Sequence, residues 1–355
     1  MSGREGMSED QASIRGPHET QALFGHGGAE RRLLELYRSG RQHHALLIAG
    51  PRGIGKATFA FRLAGFLLEN PDPAGAAVMA ASSLAIDPQS RTARLVARLA
   101  HPDLIVVNAR MFAEENRSGE IKVDHVRWAL SRLSTTADAG GWRVVIIDPV
   151  DDLNRNAANA LLKMLEEPPP RTVISLVAHA PRRLLATIRS RCITVELARP
   201  RPEEAKQALI AAEPGLAGDP DLDRLIELAE CAPGVALQLA QADGIGLRRR
   251  LDDMIAHLPE IDAVEIHQLA GELAGPRADD RFTLFMDMLV AELARLTARI
   301  ARGGRGPHAL EPWIELWDKV TRAYADTTAF NLDRRQLILN ACFGLEAAAR
   351  KAAPR

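Results

Sequence analysis

At 355 residues, this chain is longer than one ordinary domain and is expected to form two or three. Its hydrophobic content of 46% is enough to build buried cores, and the abundance of Ala, Leu and Arg favours helices. The formal net charge of −1 excludes a global basic field, so composition alone does not indicate nucleic-acid binding.

The cysteine pattern and the lengths of the apolar runs indicate the cellular compartment of the protein. The three cysteines, at 192, 231 and 342, form no CxxC pair and no even set, which favours a reducing cytoplasm over a disulfide framework or a cysteine zinc site. Residues 1–16 are polar and predict a flexible tail rather than a signal peptide. No apolar run reaches the roughly 18 residues needed to span a membrane. We therefore expect a cytoplasmic protein.

From residue 17 onwards, apolar runs alternate with helical stretches. The predicted strands are the apolar runs 44–50, 103–107, 143–148 and 172–178, and the predicted helices are 56–69, 121–136 and 155–167. Because each run is apolar nearly throughout, the strands are expected to be buried on both faces of a parallel sheet covered by helices. This pattern predicts an α/β domain over residues 17–199.

Two helical regions are predicted to follow. Pro200 and Pro202 end the alternating pattern. Residues 200–243 have the pattern of short helices separated by proline and glycine, which predicts a small helical domain. Residues 244–355 are helical in pattern, and apolar residues recur at three- and four-residue steps between 285 and 300. This last region is predicted to form a helical bundle.

The segment GPRGIGKA at 50–57 has the spacing of a phosphate-binding loop, and it joins a predicted strand to a predicted helix. In such a loop, glycines allow backbone N–H groups to point into a concavity, and the helix N-terminus adds positive potential. The lysine at 56 reaches the terminal phosphates. The candidate nucleotide-binding residues are Gly50, Gly53, Gly55, Lys56, Thr58 and Asp148.

Two positions that hydrolysis needs are vacant. The residue after the lysine should carry a hydroxyl for Mg²⁺, and here it is Ala57. Thr58 lies about 100° further round the helix and should not replace that hydroxyl. Asp148 ends a predicted strand, as an acid for Mg²⁺ should, but the next residue, where a glutamate usually activates water, is Pro149. The nucleotide site is therefore expected to be degenerate.

Other polar residues near these motifs are expected to have structural roles. Asp151 and Asp152 are expected to cap the next helix or to face solvent. The adjacent His43 and His44 are expected only to open the first predicted strand.

Several segments together resemble the AAA+ subunits of the bacterial clamp loader of DNA polymerase III. They are LFGHGGAE (23–30), HPDLIVV (101–107), IKVDHVR (121–127), NAANALLKMLEEPP (156–169), LLATIRSRC (184–192) and APGVALQLAQ (232–241). The resemblance is dense over residues 17–200 and weaker in the helical remainder. Because positions 57 and 149 are vacant, the chain resembles the non-hydrolysing type of subunit, in which the loop is a retained structural relic.

This resemblance implies a fold, partners and cofactors. The fold is an AAA+ P-loop α/β domain over 17–199, a helical lid over 200–243 and an all-α collar over 244–355 that joins five subunits into a ring. The partners are gamma/tau-like motor subunits and a delta-like subunit and, through the complex, the sliding clamp and primed DNA, with no membrane. No cofactor is required for this role, although the cradle leaves room for weak ATP or ADP binding.

The resemblance also assigns a role to Arg191, in the tripeptide SRC at 190–192. In this family, that arginine projects across the subunit boundary towards ATP bound by the neighbour. A guanidinium suits this task because it is permanently charged and offers several donors to phosphate oxygens. Arg191 is therefore the candidate arginine finger acting in trans.

The chain departs from the family at two places. Many relatives carry a four-cysteine zinc module where this chain has residues 76–90, which contain no cysteine, so no zinc is expected. Where relatives often carry a polar sensor residue, this chain has His179. The sequence leaves open whether His179 is a sensor or an ordinary turn histidine.

Two further questions stay open from the sequence. Five arginines cluster along the chain and either contact a DNA backbone or are solvated: Arg182, Arg183, Arg189, Arg199 and Arg201. The rival functions are an active clamp-loader ATPase and a P-loop phosphotransferase. Ala57 and Pro149 argue against the first, and the all-helical C-terminal region argues against the second.

Overall fold

The computed structural model describes residues 16–20, 22–109, 120–133, 141–275, 278–303 and 306–353. The chain divides into two compact units, Met1–Leu237 and Gln238–Arg355. The predicted tail at 1–16 lies outside the described residues except for its last residue, and the end of the predicted helix 121–136 also lies outside them.

The first unit alternates helices and strands. In chain order its elements are α1 (Gly27–Arg38), β1 (Ala45–Ala49), α2 (Lys56–Glu69), α3 (Ala76–Ala80), α4 (Arg91–Ala97), β2 (Leu104–Val107), α5 (Val123–Leu133), β3 (Arg143–Ile147), α6 (Arg155–Glu166), β4 (Thr172–Ala178), α7 (Ala186–Arg189) and β5 (Ile193–Glu196). Three helices follow the last strand: α8 (Pro202–Ala212), α9 (Leu222–Leu228) and α10 (Pro233–Gln241), whose last turn belongs to the second unit.

The five strands form one parallel sheet in the order β2-β3-β4-β1-β5. Successive residues of β1 belong to two different apolar clusters: Leu46 and Ile48 pack into the cluster that contains α2, whereas Ala45 and Leu47 pack into the one that contains α6. Because neighbouring side chains on a strand point to opposite faces, the sheet is buried on both faces. The predicted α/β fold with a parallel sheet flanked by helices is confirmed.

The sequence pattern predicted four of these strands and missed β5. In β5 only Val195 is buried, and Thr194 and Glu196 are exposed, so the strand has no continuous apolar run. It is an edge strand of this sheet and pairs with β1, from Leu46↔Ile193 to Ala49↔Glu196. A strand with one face open to solvent alternates between polar and apolar residues, so it does not appear in the sequence as a continuous apolar run.

The second unit is helical throughout its described residues. Its helices are α11 (Gly244–Ala256), α12 (Ala263–Leu273), α13 (Asp279–Arg302), α14 (Pro307–Phe330) and α15 (Arg334–Ala352). The predicted apolar face of α13 is buried at Phe285, Leu289 and Leu293 in the core of this unit. The all-α character predicted for the C-terminal region is confirmed, whereas the division into a lid at 200–243 and a collar from 244 stays a prediction. Among the described helices, none has the length and apolar character required to cross a membrane.

Candidate functional site

The predicted phosphate loop connects β1 to α2, as its spacing required. Three of its glycines have positive φ angles, at 155° for Gly50, 76° for Gly53 and 100° for Gly55. Side chains other than hydrogen are strained in this region, which is why glycine stands at these positions. The loop therefore has the backbone of a phosphate cradle.

The lysine of the loop is engaged with the loop itself. Lys56 is 3% exposed, and its Nζ donates to the carbonyl oxygen of Gly50 at 2.8 Å and to that of Pro51. Burial lowers the pKa of Lys56 to about 8, and the negative charges of Asp148 and Asp151 oppose this change. A nucleotide phosphate would have to displace two backbone carbonyls to reach this ammonium group.

The loop is also covered from three sides within the first unit. The N–H of Gly234, in the first turn of α10, donates to the carbonyl oxygen of Gly53 at 2.8 Å. His26 is buried and its Nε2 donates to the carbonyl oxygen of Ile54 at 2.6 Å, while a Cβ added at Gly50 would lie 2.4 Å from the carbonyl oxygen of Leu197. Sequence reasoning missed the role of His26, whose only signal was its place in the segment 23–30. The loop is packed as a structural element.

The residue that would supply the Mg²⁺-binding hydroxyl is Ala57, which has no hydroxyl group. Ala57 and Thr58 occupy the first turn of α2, after its first residue Lys56. Thr58 is half-buried one residue beyond the position at which a hydroxyl is needed. The two side chains point in directions about 100° apart around the helix axis, so the threonine hydroxyl does not take over the role.

The acids after β3 are close to the loop, but they are otherwise engaged. Asp148 directly follows β3, at the same sheet edge as the loop, and its charge acts on Lys56. The carboxylate of Asp151 accepts from the N–H of His179 at 2.6 Å and from that of Ala180 at 2.9 Å. The expectation that Asp151 caps the next helix is wrong: Asn154 caps α6, and Asp151 holds the turn after β4. The carboxylate of Asp151 thus stabilises the backbone turn at His179 and Ala180.

His179 faces this cluster from the end of β4. Burial lowers the pKa of His179 to about 4, and the positive charge of Lys56 acts in the same direction. Its Nδ1 is buried and has no hydrogen-bond partner among the described residues. The imidazole is therefore neutral at physiological pH, and the charged groups that act on it are Lys56, Arg52 and the Asp151 carboxylate.

Asp152 completes this group of charges. Asp152 is exposed, as expected from the sequence, but partial desolvation by its surroundings raises the pKa of its carboxyl, and the negative charge of Asp151 adds to the effect. It lies with Asp151 in a short 3₁₀ helix, Val150–Asp152, ahead of α6.

Arg191 lies at the end of the sheet where the parallel strands begin, whereas the phosphate loop lies at the end where they finish. It stands two residues before β5, and since Ile193 pairs with Leu46 in a parallel register, Arg191 is level with His44. The loop begins at Gly50, six residues further along β1, which at about 3.3 Å per residue is about 20 Å away. Arg191 therefore cannot reach the phosphate loop of its own chain.

The guanidinium of Arg191 is accessible and has two partners. Its Nη2 lies 2.7 Å from Oε1 of Glu166 in an ion pair, and its Nη1 donates to the carbonyl oxygen of Thr187 at 3.0 Å. The side chain is 36% exposed. It lines an open pocket of about 430 Å³ whose lining residues are His43, His44, Leu165, Glu166, Ser190, Arg191, Cys192 and Ile193.

The histidines before β1 do more than open the strand. His44 Nε2 lies 3.0 Å from the carbonyl oxygen of Leu165, to which it donates, and its ring stacks on that of His43 with centroids 4.4 Å apart. Burial lowers the pKa of His44 below its usual value. The sequence contained no signal for this contact with α6.

The five clustered arginines do not form one free basic surface. Arg199 pairs with Glu230 at 2.6 Å and Arg201 with Glu204 at 2.8 Å. The side chains of Arg182, Arg183 and Arg189 are exposed. Two of the five positive charges are thus balanced by neighbouring carboxylates, which weakens the interpretation as a DNA-binding cluster.

The described part of the chain contains no group of three or more His, Cys, Asp or Glu side chains placed to hold a metal ion. The three cysteines are unpaired, and burial raises the pKa of Cys192 to about 11 and that of Cys342 to about 12. The thiols of Cys192 and Cys342 are poor candidates for metal binding or nucleophilic chemistry at neutral pH, because both kinds of chemistry require the thiolate.

The chain is similar to a set of known proteins. Residues 25–201 match the family model described as DNA polymerase III, delta subunit. The chain is 36% identical to the DNA polymerase III subunit delta' of Pseudomonas aeruginosa, over 59% of this chain and 58% of that protein. It is 34% identical to the DNA polymerase III subunit delta' of Escherichia coli, over 73% of each chain. It is also 30% identical to the DNA polymerase III subunit tau of Escherichia coli, over 76% of this chain and 42% of that protein.

Proposed function

We propose that this chain, which belongs to the DNA polymerase III subunit delta' family, is a non-hydrolysing clamp-loader subunit that supplies Arg191 to the ATP site of a neighbouring subunit. The observation that carries this proposal is the position of Arg191. It lies about 20 Å from the loop of its own chain, at the end of the sheet where the strands begin, and its side chain is accessible there. An arginine so placed can act only on a nucleotide held by another chain.

The state of the chain's own loop supports the absence of hydrolysis. Ala57 supplies no hydroxyl for Mg²⁺, and Pro149 supplies no base for water. Lys56 already donates to two carbonyls of the loop, and α10 covers Gly53. This subunit needs no cofactor and no zinc in the proposed role, and weak binding of ATP or ADP is compatible with it.

The proposed partners are gamma/tau-like motor subunits and a delta-like subunit, with the sliding clamp and primed DNA reached through the complex. The second unit supports a role in assembly because it exposes large apolar side chains: Val264, Ile314, Trp317, Phe330, Leu332 and Phe343. Exposed apolar surface of this kind is typical of interaction sites. Unpaired cysteines support a reducing, cytoplasmic setting.

Replacing Arg191 by alanine tests the proposal. The free energy of unfolding of the isolated chain should change by no more than about 1 kcal/mol, because the ion pair of Arg191 with Glu166 is accessible to solvent. The complex with its partner subunits should still form, whereas its clamp- and DNA-stimulated ATPase activity should fall. Loss of a trans-acting arginine lowers kcat about 10³-fold or more at the affected ATP site. The ATPase activity of the whole complex falls less, because the other ATP sites in the ring keep their arginines.

Arg182→Ala is the matched control, since Arg182 is also exposed and lies in the same connection between β4 and β5 as Arg191. Its complex should retain the wild-type ATPase activity. Wild-type clamp loading by the assembled Arg191→Ala complex would show that the arginine has no role in trans.

The similarity to a tau subunit favours one alternative, an active motor subunit. That alternative requires ATP turnover by the complex at this chain's own loop. Lys56→Ala in this chain alone distinguishes the two: the proposed role predicts an unchanged ATPase activity of the complex, and the motor role predicts a loss.

A further inference from the structure

We propose that Glu166 is a positioning residue for Arg191, which holds the guanidinium ready for a phosphate group presented by the neighbouring subunit. This inference rests on the proposed function, because it concerns the same arginine. Oε1 of Glu166 lies 2.7 Å from Nη2 of Arg191, so the two side chains form a close ion pair.

The contacts of Arg191 fix the plane of its guanidinium and leave donors for a ligand. The Glu166 carboxylate forms an ion pair with Nη2, and Nη1–H donates a hydrogen bond to the carbonyl oxygen of Thr187. A guanidinium has five N–H groups in a rigid fork. The hydrogen bond to Thr187 and the ion pair with Glu166 together restrict the orientation of that fork, and the remaining donors serve the phosphate oxygens.

Glu166 is itself held by the central sheet. It is the last residue of α6, and the preceding carbonyl, that of Leu165, accepts from His44 Nε2 at 3.0 Å. The carbonyl oxygen of His44 in turn accepts from the N–H of Ile174 in β4 at 2.7 Å. Burial lowers the pKa of His44, so the neutral imidazole that donates to Leu165 is the form present at physiological pH. A carboxylate on such a support orients its partner reproducibly.

The exposure of the pair sets the size of the effect. The side chain of Arg191 is 36% exposed and that of Glu166 is 49% exposed, so water screens their attraction. Exposed pairs of this kind shift an equilibrium by up to about fivefold. The pair thus raises the population of the oriented arginine several-fold while leaving the side chain free to adjust to the neighbour.

The test uses the complete complex assembled from this chain and its motor and delta-type partner subunits. In Glu166→Ala, kcat of the clamp- and DNA-stimulated ATPase should fall by up to about fivefold, in the same direction as in Arg191→Ala. KM for ATP should not change, since an arginine that acts on the transferring phosphoryl group contributes to the transition state only. Glu166→Gln keeps an acceptor oxygen at the same place and should recover part of the loss.

Two further variants separate positioning from other roles. Glu167→Ala removes the adjacent exposed carboxylate and should leave kcat at the wild-type value. The double variant Arg191→Ala with Glu166→Ala should be no slower than Arg191→Ala alone, because a positioning residue has nothing left to position.

The outcomes for the two hypotheses are distinct. If Arg191→Ala has no effect, the proposed function itself is wrong. If Arg191→Ala lowers kcat while Glu166→Ala matches or exceeds the wild-type rate, the trans role stands and positioning by Glu166 is wrong. A further fall of the double variant below Arg191→Ala also overturns the positioning role.

Discussion

The backbone N–H of Gly234 donates to the carbonyl oxygen of Gly53 at 2.8 Å, so the first turn of α10 closes over the phosphate loop. The approach is close because neither residue has a side chain. A Cβ added at Gly53 would lie 2.8 Å from the backbone nitrogen of Val235, and one added at Gly234 would lie 3.1 Å from the carbonyl oxygen of Gly53. This contact ties α10 to the loop within the first unit.

Gly53→Ala should therefore destabilise the chain more than a comparable glycine replacement. Gly40 is the matched control: its φ is 67°, close to the 76° of Gly53, but a Cβ there meets no atom within 4 Å. Gly40→Ala should cost about 1 kcal/mol for the backbone conformation alone. Gly53→Ala should cost at least about 1 kcal/mol more, from the collision with Val235. The urea concentration at the unfolding midpoint measures both, and equal shifts would contradict the contact.

The purified chain should hydrolyse ATP no faster than buffer. The reason is chemical: position 57 has no hydroxyl for Mg²⁺, position 149 has no acid, and the Lys56 ammonium is occupied by loop carbonyls. Phosphate release from the isolated chain is the measurement. Turnover of about 1 s⁻¹ that disappears in Lys56→Ala would show that the loop is catalytic.

His179 should make the chain sensitive to acid. Its pKa is about 4 in the folded chain, below the 6.5 of a free histidine, so the unfolded chain binds the proton more readily between these values. The associated stability is present above pH 6.5 and is lost as the pH falls towards 4. After allowance for solvent screening of this half-buried group, the loss is about 1–2 kcal/mol.

In His179→Gln, the difference in unfolding free energy between pH 7 and pH 5 should be smaller than in the wild type. His308→Gln, at an exposed position of α14, is the control and should leave that difference unchanged. Some acid sensitivity should remain in His179→Gln, since burial also lowers the pKa of His44 and that of His101. An unchanged difference in His179→Gln would contradict the burial of its neutral form.

Arg38 should be a stabilising residue of the segment around α3. Its guanidinium donates to the carbonyl oxygen of Val78 at 2.7 and 2.9 Å, to that of Met79 at 3.2 Å and to that of Ala81. These carbonyls lie at the C-terminal end of α3 and at its cap residue, where helix carbonyls have few backbone partners, and the Val78 carbonyl also accepts from the N–H of Ala81 at 3.2 Å. Arg38→Ala should cost about 1.5–3 kcal/mol by thermal or urea unfolding. Arg32→Ala, at an exposed position of the same helix α1, should cost no more than about 0.5 kcal/mol.

Metal analysis of the purified chain should find less than stoichiometric zinc. Residues 76–90 contain no cysteine, and the described residues hold no cluster of metal-binding side chains. One tightly bound zinc ion per chain would show a site built from histidines and acids.

Much of the fold and part of the site follow from local sequence. The apolar runs that became β1 to β4 were recognisable because a strand buried on both faces needs nearly every side chain to be apolar. The phosphate loop was recognisable because its glycines and lysine occupy fixed spacings, and its degeneracy was visible in the single letters at 57 and 149. Family membership followed from segments in the same order along the chain.

Only the tertiary structure decided what the polar residues do. Asp151 accepts a hydrogen bond from the N–H of His179, and Glu166 forms an ion pair with Arg191. The backbone N–H of Gly234 likewise donates to the carbonyl oxygen of Gly53, and in each pair the partners come from different elements. The edge strand β5 is half-exposed and only four residues long. It places Arg191 where the parallel strands begin, at the end of the sheet opposite the loop. Apolar periodicity follows from the burial of one element and can be read locally. Hydrogen bonds and ion pairs between polar side chains depend on which elements the sheet order brings together, and the spacing of residues along the chain does not contain that information.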